Sequence, residues 1–490
     1  MSNNNSIALL PLDNRPVSYL LPKQIADFSG IDLILPERNK LGDLNRGVDL
    51  AYIDNWCRDV ACNVSTWIIA LDTWIYGGLV QSRKHDFTIG ELKKRVDAFV
   101  GEDNYPRFQS VYGFSSIMRI PNYNSSEEEK DYWENYGEKI FKWSELMYKV
   151  GRGVKTEGIS NEALIEAWYQ SSKEIPPEIL ADYKAHRDKN LTVNNLWLES
   201  LHKNLFKYLV FSSDDSAKYG MNVVEAEFLT KEIEKHHFEK IARVISGTDE
   251  ISLLLLTNSI VETCHGMSLP TVHIYFNDEK GKNERGIYES SSISSIVKNH
   301  IGLLDLKENK IENADIVICV HVASGLQGDH VFKTIPANTK ENAKKLVKYI
   351  ENINKPFILI DLAYANGSDP NLINELLKSK INWNNCYGYA GWNTAANSTG
   401  SALAMGICRW IAEKKNTFKE NEFKKALLVR FLDDYAYQAK IRYKDIKESE
   451  INEKMTEYEE QFSRFLGIGN VNVQCKLPWK RSFEVEINII

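Results

Sequence analysis

The sequence is poor in the features that mark several protein classes. Its 490 residues include seven cysteines. Only Cys57 and Cys62 lie close together, and no CxxC pair occurs. A disulfide framework is therefore not indicated, and reduced, mostly buried thiols in a reducing compartment fit better. Basic charge is not in excess: 60 Lys and Arg stand against 67 Asp and Glu, a net −7. That balance argues against a general nucleic-acid binder, which needs a strong basic face. Apolar runs such as Leu253–Leu256 fall far short of the roughly 20 residues of a membrane span. The opening MSNNNS is uncharged, and Pro11 interrupts the stretch Ile7–Leu12, so no export signal is read and a cytoplasmic location is expected. There is no Gly/Ser-rich linker, low-complexity segment or internal sequence repeat. A P-loop, GxGxxG and GxSxG are also missing.

Aromatic residues are abundant: 11 Trp, 23 Tyr and 19 Phe. Most are expected in the core, where rings bury large areas. Beside so many Asn and Asp they also suit sugar sites, in which rings stack on pyranose faces and amides or carboxylates bind hydroxyls. At 43% apolar and 26% charged, the composition is that of a globular protein. The length suggests two to four domains.

Along the chain, short apolar runs alternate with helical patterns, which indicates parallel βα units. Strands are expected at Ile7–Asp13, Ile31–Glu37, Ser65–Asp72, Val111–Arg119, Lys207–Asp215 and Ala242–Glu250. Four continuously apolar strands follow at Thr271–Asp278, Ala314–Val322, Pro356–Ala363 and Cys386–Trp392, typical of a sheet covered on both faces. Helices are expected at Pro22–Phe28, Ile89–Val100, Val223–Ile241, Ser252–Thr263, Asn342–Ile353, Asn371–Lys380 and Ser401–Ala412. An acidic helix is read from Ser125 or Ser126, opening an insertion at 121–200 that suits a lid or substrate-contacting wall. The fold class is thus α/β. A barrel-like domain with parallel strands is expected over 1–265, a second α/β parallel-sheet domain over 266–415, and a helical C-terminal segment with a terminal strand over 416–490.

In parallel sheets ligands bind outside the carboxyl ends of the strands, and polar motifs cluster there. Asp13, Asn14 and Arg15 follow the first strand, Asp72 closes the third, Arg119 follows the fourth, and Asp214 and Asp215 follow the fifth. Taken singly, such residues also cap turns and helix starts. Tyr76 and Arg83 flank Gly77-Gly78, where the backbone turns or approaches something closely. Asp361 and Asn366 end a later strand. In the turn Gly391–Gly400, Trp392 offers a stacking floor, and Asn393, Thr394, Asn397 and Thr399 offer neutral donors and acceptors. The following helix points its N-terminus at the same place. Asp249-Glu250 reads as a helix start. His236-His237 reads as a solvated pair in a charged helix, His321 and His330 lack a Cys or His partner at metal-ligand spacing, and Cys264-His265 reads as packing at a helix end rather than a Cys–His dyad.

Together the motifs resemble an uncharacterised bacterial domain-of-unknown-function family. The residues carrying the resemblance are LPLDNRPVSYLLP (Leu10–Pro22), LDTWIYGGLVQSR (Leu71–Arg83), DYWENYG (Asp131–Gly137), SSDDSAKYG (Ser212–Gly220), GTDE (Gly247–Glu250), DLAYANGSD (Asp361–Asp369), YAGWNTAANSTG (Tyr389–Gly400), RFLDDYAYQ (Arg430–Gln438) and PWKRSFEV (Pro478–Val485). They span nearly the whole chain. The Asp214-Asp215 pair at a strand end is also similar to that of barrel-fold β-N-acetylglucosaminidases that use substrate-assisted catalysis. That similarity implies that Asp214 orients the 2-acetamido group and Asp215 protonates the leaving oxygen.

The expected function is a glycoside hydrolase acting on an amino sugar or small glycoside, with Asp214 and Asp215 catalytic and no metal or cofactor. Two close carboxylates cannot both ionise freely, so one keeps a proton and serves as the acid. Asp13, Asn14, Arg15, Asp72, Tyr76, Arg83, Arg119, Asp361, Asn366, Trp392, Asn393 and Thr394 are the expected substrate-binding residues. The alternatives are a non-catalytic carbohydrate-binding or sensing protein and a metal-dependent sugar-modifying enzyme. The expected partner is a small carbohydrate, with no nucleic acid and no membrane; a homo-oligomer is left open.

Overall fold

A computed structural model describes residues 6–101, 110–214, 216–262, 267–444, 447–469 and 471–490. Asp215 and the Cys264–Gly266 segment lie outside the described residues. The chain forms two compact units. The first comprises Met1–Asn14 and Ile34–Thr248, and the second Arg15–Leu33 and Asp249–Ile490.

The first sheet contains β1 (Ile7–Leu10), β2 (Leu33–Ile34), β3 (Thr66–Ala70), β4 (Val111–Ile117), β5 (Phe206–Ser213) and β6 (Ala242–Ser246), in the order β2-β1-β3-β4-β5-β6. From β1 through β6 the neighbouring pairs β1–β3, β3–β4, β4–β5 and β5–β6 are parallel. β3 and β4 are buried at every position, as in a sheet covered on both faces. The sheet is open, with β2 and β6 at its edges; the barrel-like expectation is corrected here. After β1 the chain places one strand on one side and all later strands on the other. The sheet therefore grows away from β2 and the edges do not meet.

The second unit contains β7 (Thr271–Phe276), β8 (Lys307–Glu308), β9 (Ile316–His321), β10 (Gly328–Asp329), β11 (Phe357–Asp361), β12 (Tyr364–Ala365) and β13 (Cys386–Ala390). Its main sheet is ordered β8-β7-β9-β11-β13, and every pair is parallel. Counted in chain order within its own sheet, this is 2-1-3-4-5, the same order as the first sheet, which adds a sixth strand. It is a doubly wound order, whose switch point lies between the first and third strands. The repeat is one of topology, which is why no sequence repeat announced it. The helix Ala395–Lys415 is buried at 395–409 without a break, as expected of a helix enclosed on all sides.

The insertion between β4 and β5 folds into helices Trp133–Gly151, Asn161–Lys173 and Pro177–Glu199. Trp133, Ile140, Trp143, Ile175 and Tyr183 share one apolar cluster with Met118 and Ile120. The acidic helix starts at Trp133 rather than at Ser125 or Ser126, which leaves Glu128 and Glu129 ahead of it. The C-terminal region holds helices Glu420–Arg430 and Glu448–Leu466, joined through a π-helix at Phe431–Ile441. An antiparallel hairpin of β14 (Val473–Lys476) and β15 (Glu486–Ile489) follows. Among the described residues no helix is long and apolar enough to cross a membrane.

Candidate functional site

In the first unit, four of the expected residues converge just past the carboxyl ends of β3, β4 and β5. Asp72 sits in the short helix Leu71–Tyr76, directly after β3. Its Oδ2 accepts the Ser116 N–H at 2.8 Å, and its Oδ1 accepts the Ser116 hydroxyl at 3.0 Å. Arg83 belongs to the next short helix, Leu79–Lys84. Its guanidinium donates to Asp214, which follows β5, and to Glu128 Oε2 at 2.7 Å. Arg119, after β4, donates to Glu129 Oε1 at 2.9 Å and pairs with Glu128 at 2.9 Å. Two buried arginines thus bind three carboxylates. Arg83 is 2% exposed, whereas Asp214 and Glu128 are 17% exposed, so these two carboxylates form the reachable rim. Burial pushes the Asp72 carboxyl up to about 7, because its hydrogen bonds from Ser116 and the Arg83 charge only partly offset desolvation.

Gly77 and Gly78 make this arrangement by backbone geometry. Gly77 has φ 95°, and its carbonyl accepts the Val48 N–H at 2.9 Å. A Cβ there would lie 3.2 Å from the Gly47 Cα. The double glycine therefore lets the 42–48 loop lie directly on the turn that aims Arg83. Tyr76 is buried and stacks on His85 at 4.6 Å, and His85 lies 4.3 Å from the His186 ring. Burial lowers the two imidazoles to about 4 and about 3. A surface groove lined by Lys84, Asp86, Lys130, Tyr132, Ile179 and Asp182 includes Lys84 and Lys130, the immediate sequence neighbours of Arg83 and Glu129. Asp13 is buried in this unit, and the Asn14 N–H donates to the Gly42 carbonyl at 3.3 Å.

Arg15 belongs to the second unit, where it pairs with Asp249 at 2.7 Å and Glu484 at 3.1 Å. Asp249 and Glu250 do precede a helix, Ile251–Glu262. Both are nonetheless committed to partners, since Glu250 meets the buried His300 at 3.1 Å.

The second unit carries its own polar cluster at the corresponding strand ends. Asn277 follows β7 and His321 closes β9, so the pair marks the switch point of that sheet. Asn277 Oδ1 accepts the Val322 N–H at 2.8 Å, which turns its Nδ2 toward His321 Nδ1 at 3.0 Å. Nδ1 is thereby the acceptor, and Nε2–H donates to Asp369 Oδ2 at 2.8 Å. Burial pushes the imidazole down, but the bond to Asp369 and the Asp361 and Asp369 charges outweigh it and leave its pKa raised. Asp361 Oδ2 accepts the Asp369 N–H at 2.7 Å. Asp434, from the π-helix, accepts the Gly391 N–H at 2.8 Å and pairs with Arg430 at 3.0 Å. Burial raises both Asp361 and Asp434 to about 7. His321, Asp361, Asp369 and Asp434 are all 0% exposed, so this cluster is sealed.

Asn366, with φ 61°, donates to Asp329 Oδ1 at 3.2 Å, and its N–H donates to the Asn393 carbonyl at 2.9 Å. Thr394 caps the helix Ala395–Lys415 by accepting the Asn397 N–H at 3.3 Å. That helix starts six residues before the expected Ser401. Its Ala396 N–H is already taken by Glu289 Oε1 at 2.9 Å, a carboxylate drawn to the positive helix end. The Trp392 ring is buried and lies 5.6 Å from Phe483, so it presents no exposed stacking floor.

Sequence reasoning singled out Asp72, Arg83, Arg119 and Asp214, which lie together in the structure, but not Glu128 and Glu129, which read as helix-start acids. It also missed Asn277, Asp369, Arg430 and Asp434. The signal for Asp434 was a buried-length apolar pattern around RFLDD that brings two adjacent acids inside.

Among the described residues, no group of three or more His, Cys, Asp or Glu side chains is arranged to hold a metal ion. No curated protein and no solved structure matches the chain. The model of one family, described as protein of unknown function (DUF4127), matches residues 7–488, and the chain belongs to that family.

Proposed function

We propose that the Asp72–Arg83–Asp214 cluster of the first unit is the catalytic site of a glycoside hydrolase acting on an amino sugar or small glycoside. One observation carries the reading: two carboxyls of one cluster sit in opposite surroundings. Asp72 is desolvated and held up to about 7, while Asp214 is ion-paired with Arg83 and reachable. Environments that separate two carboxyls in this way divide acid from charged partner. In this reading Asp214 stabilises the cationic transition state or orients a 2-acetamido group. Asp72 or the neighbouring Asp215 gives the proton to the leaving oxygen. The polar groove with Tyr132 suits a sugar ring. The reading rests on these carboxyls and not on a barrel.

The test is hydrolysis of a panel of nitrophenyl glycosides and natural disaccharides. Asp214→Asn should remove activity on all of them. Asp72→Asn and Asp215→Asn identify the acid: the true donor's variant loses poor leaving groups and spares activated aryl glycosides. With Asp72 as donor, the rate should fall as pH rises through about 7, because the acid must be protonated. Activity lost to EDTA and restored by a divalent ion would refute the carboxylate mechanism. A second reading, non-catalytic carbohydrate binding, is favoured by the fact that Asp214, Glu128 and Glu129 are already bound to arginines. Binding of a sugar without turnover of any substrate would select it.

A further inference from the structure

We propose that the turn between β13 and the helix Ala395–Lys415 is a second, independent site, which binds a neutral hydroxyl-bearing ligand such as a sugar or another polyol. Two side chains carry the inference. Trp392 is 3% exposed and Asn397 is 4% exposed. The Trp392 Nε1–H and the Asn397 Nδ2 amide are both buried without a hydrogen-bond partner. Buried donors are almost always satisfied, and leaving them unmatched is costly. Here two occur five residues apart, in one turn at the carboxyl end of a parallel strand, where α/β proteins place ligands.

The chemistry of the ligand follows from what is already paired. The Asn397 Oδ1 accepts the Ser401 hydroxyl at 3.3 Å, so the free end of this amide is its NH₂. An indole nitrogen can only donate. The site therefore asks for acceptor oxygens. A helix of 21 residues begins here, and a bare helix N-terminus would favour an anion. This one is not bare. Glu289, 1% exposed, holds the Ala396 N–H at 2.9 Å, and a second negative charge beside a desolvated carboxylate is disfavoured. The acceptor is thus neutral: a hydroxyl or an acetamido carbonyl rather than phosphate or carboxylate.

The turn is held in place for this task. The Ser398 hydroxyl donates to the Trp392 carbonyl at 2.8 Å, and the Asn366 N–H donates to the Asn393 carbonyl at 2.9 Å. These bonds hold the turn closed around both donors. Since both nitrogens are enclosed, the turn must open to admit a ligand, and association should be slower than encounter.

The experiment is titration calorimetry on the full chain carrying Asp214→Asn, so that a failure of the first-unit reading does not affect the result. The probes are N-acetylglucosamine, glucose and inorganic phosphate. At least one sugar should bind, and phosphate should neither bind nor compete. Adding Trp392→Phe or Asn397→Leu should weaken the sugar about tenfold, the loss of one hydrogen bond. Thermal melts establish that each variant is folded; if Asn397→Leu is not, Asn397→Ser replaces it. Sugar affinity unchanged in both variants, binding of phosphate in preference, or no heat from either sugar would each overturn the proposal.

Discussion

The two sheets share one strand order and use it differently. In the first, the strand ends gather charges: Arg83 and Arg119 against Glu128, Glu129 and Asp214, with two carboxylates partly open. In the second, the same positions gather neutral or proton-holding groups: Asn277, His321, Asp361 and Asp434, all closed off. Topology delivers polar side chains to the same end of both sheets. What they become is set by segments from outside the sheet. The helical insertion supplies Glu128 and Glu129 to the first cluster, and the π-helix supplies Asp434 to the second. A charged cluster that solvent reaches suits chemistry on a ligand, whereas a sealed one of hydrogen-bonded acids suits holding the fold.

The largest test of this contrast is Arg83→Met. It should cost about 3 kcal/mol, because it takes a buried guanidinium away from Asp214, Glu128 and Glu129 and leaves three carboxylates to Arg119, and urea denaturation measures it. Asp361→Asn should cost far less at pH 7, since burial already favours the neutral form of that carboxyl. Equal losses would erase the distinction. Gly77→Ala comes next, at about 1–3 kcal/mol for a non-glycine residue forced to positive φ, and the same denaturation curve reports it.

A smaller effect separates the units by pH. His85 and His186 are held well below their ordinary value of 6.5 in the folded state. The unfolded chain therefore binds more protons, and their contribution is lost as pH falls from about 6.5 toward 4. Asp72 opposes this within the same unit. Asp361 and Asp434 are raised from 3.8 to about 7. Their contribution is full below about 4 and is lost as pH rises through 7. Hydrogen exchange in peptides of β3–β5 and β9–β13 should show protection moving in opposite directions between pH 5 and 7. His85→Gln with His186→Gln should flatten the first response; an unchanged slope would show that these rings are not its source. The smallest effect is at Lys23, whose exposed pair with Asp27 at 2.9 Å should make Lys23→Gln neutral within about 0.5 kcal/mol by thermal melt.

Much of this arrangement was legible in the sequence. Strands β9, β11 and β13 stood out because burial on both faces makes them continuously apolar, and β3, β4 and β5 as short apolar runs between helical patterns. The polar residues that close them pointed to the first cluster. The two-residue strands β8, β10 and β12 were not legible, since two residues carry no period. The helix at Pro16 was read only from Pro22, although proline suits the first helical turn. Sheet closure was not legible either, because βα units read alike whichever side the next strand takes. Glu128 and Glu129 show the deeper reason for the misses: acids ahead of a helix have a sufficient local explanation, and only the fold reveals that two arginines claim them.

The assignment of Arg15–Leu33 to the second unit has a consequence for the order of events on the ribosome. The helix Pro16–Ser29 is made before every helix it packs on. Some of its partners come far later in the chain: Phe28 meets Phe423 edge-on at 5.2 Å, and the Phe28 carbonyl accepts the Lys419 N–H at 2.9 Å. Its buried face of Val17, Leu21, Ile25 and Phe28 is therefore not fully covered until the helix Glu420–Arg430 has been made. Until then it is an apolar surface of the kind that chaperones hold and that aggregates when left free. A chain cut after Thr248 would carry a helix with nothing to cover it, because the helices it packs on begin at Ile251.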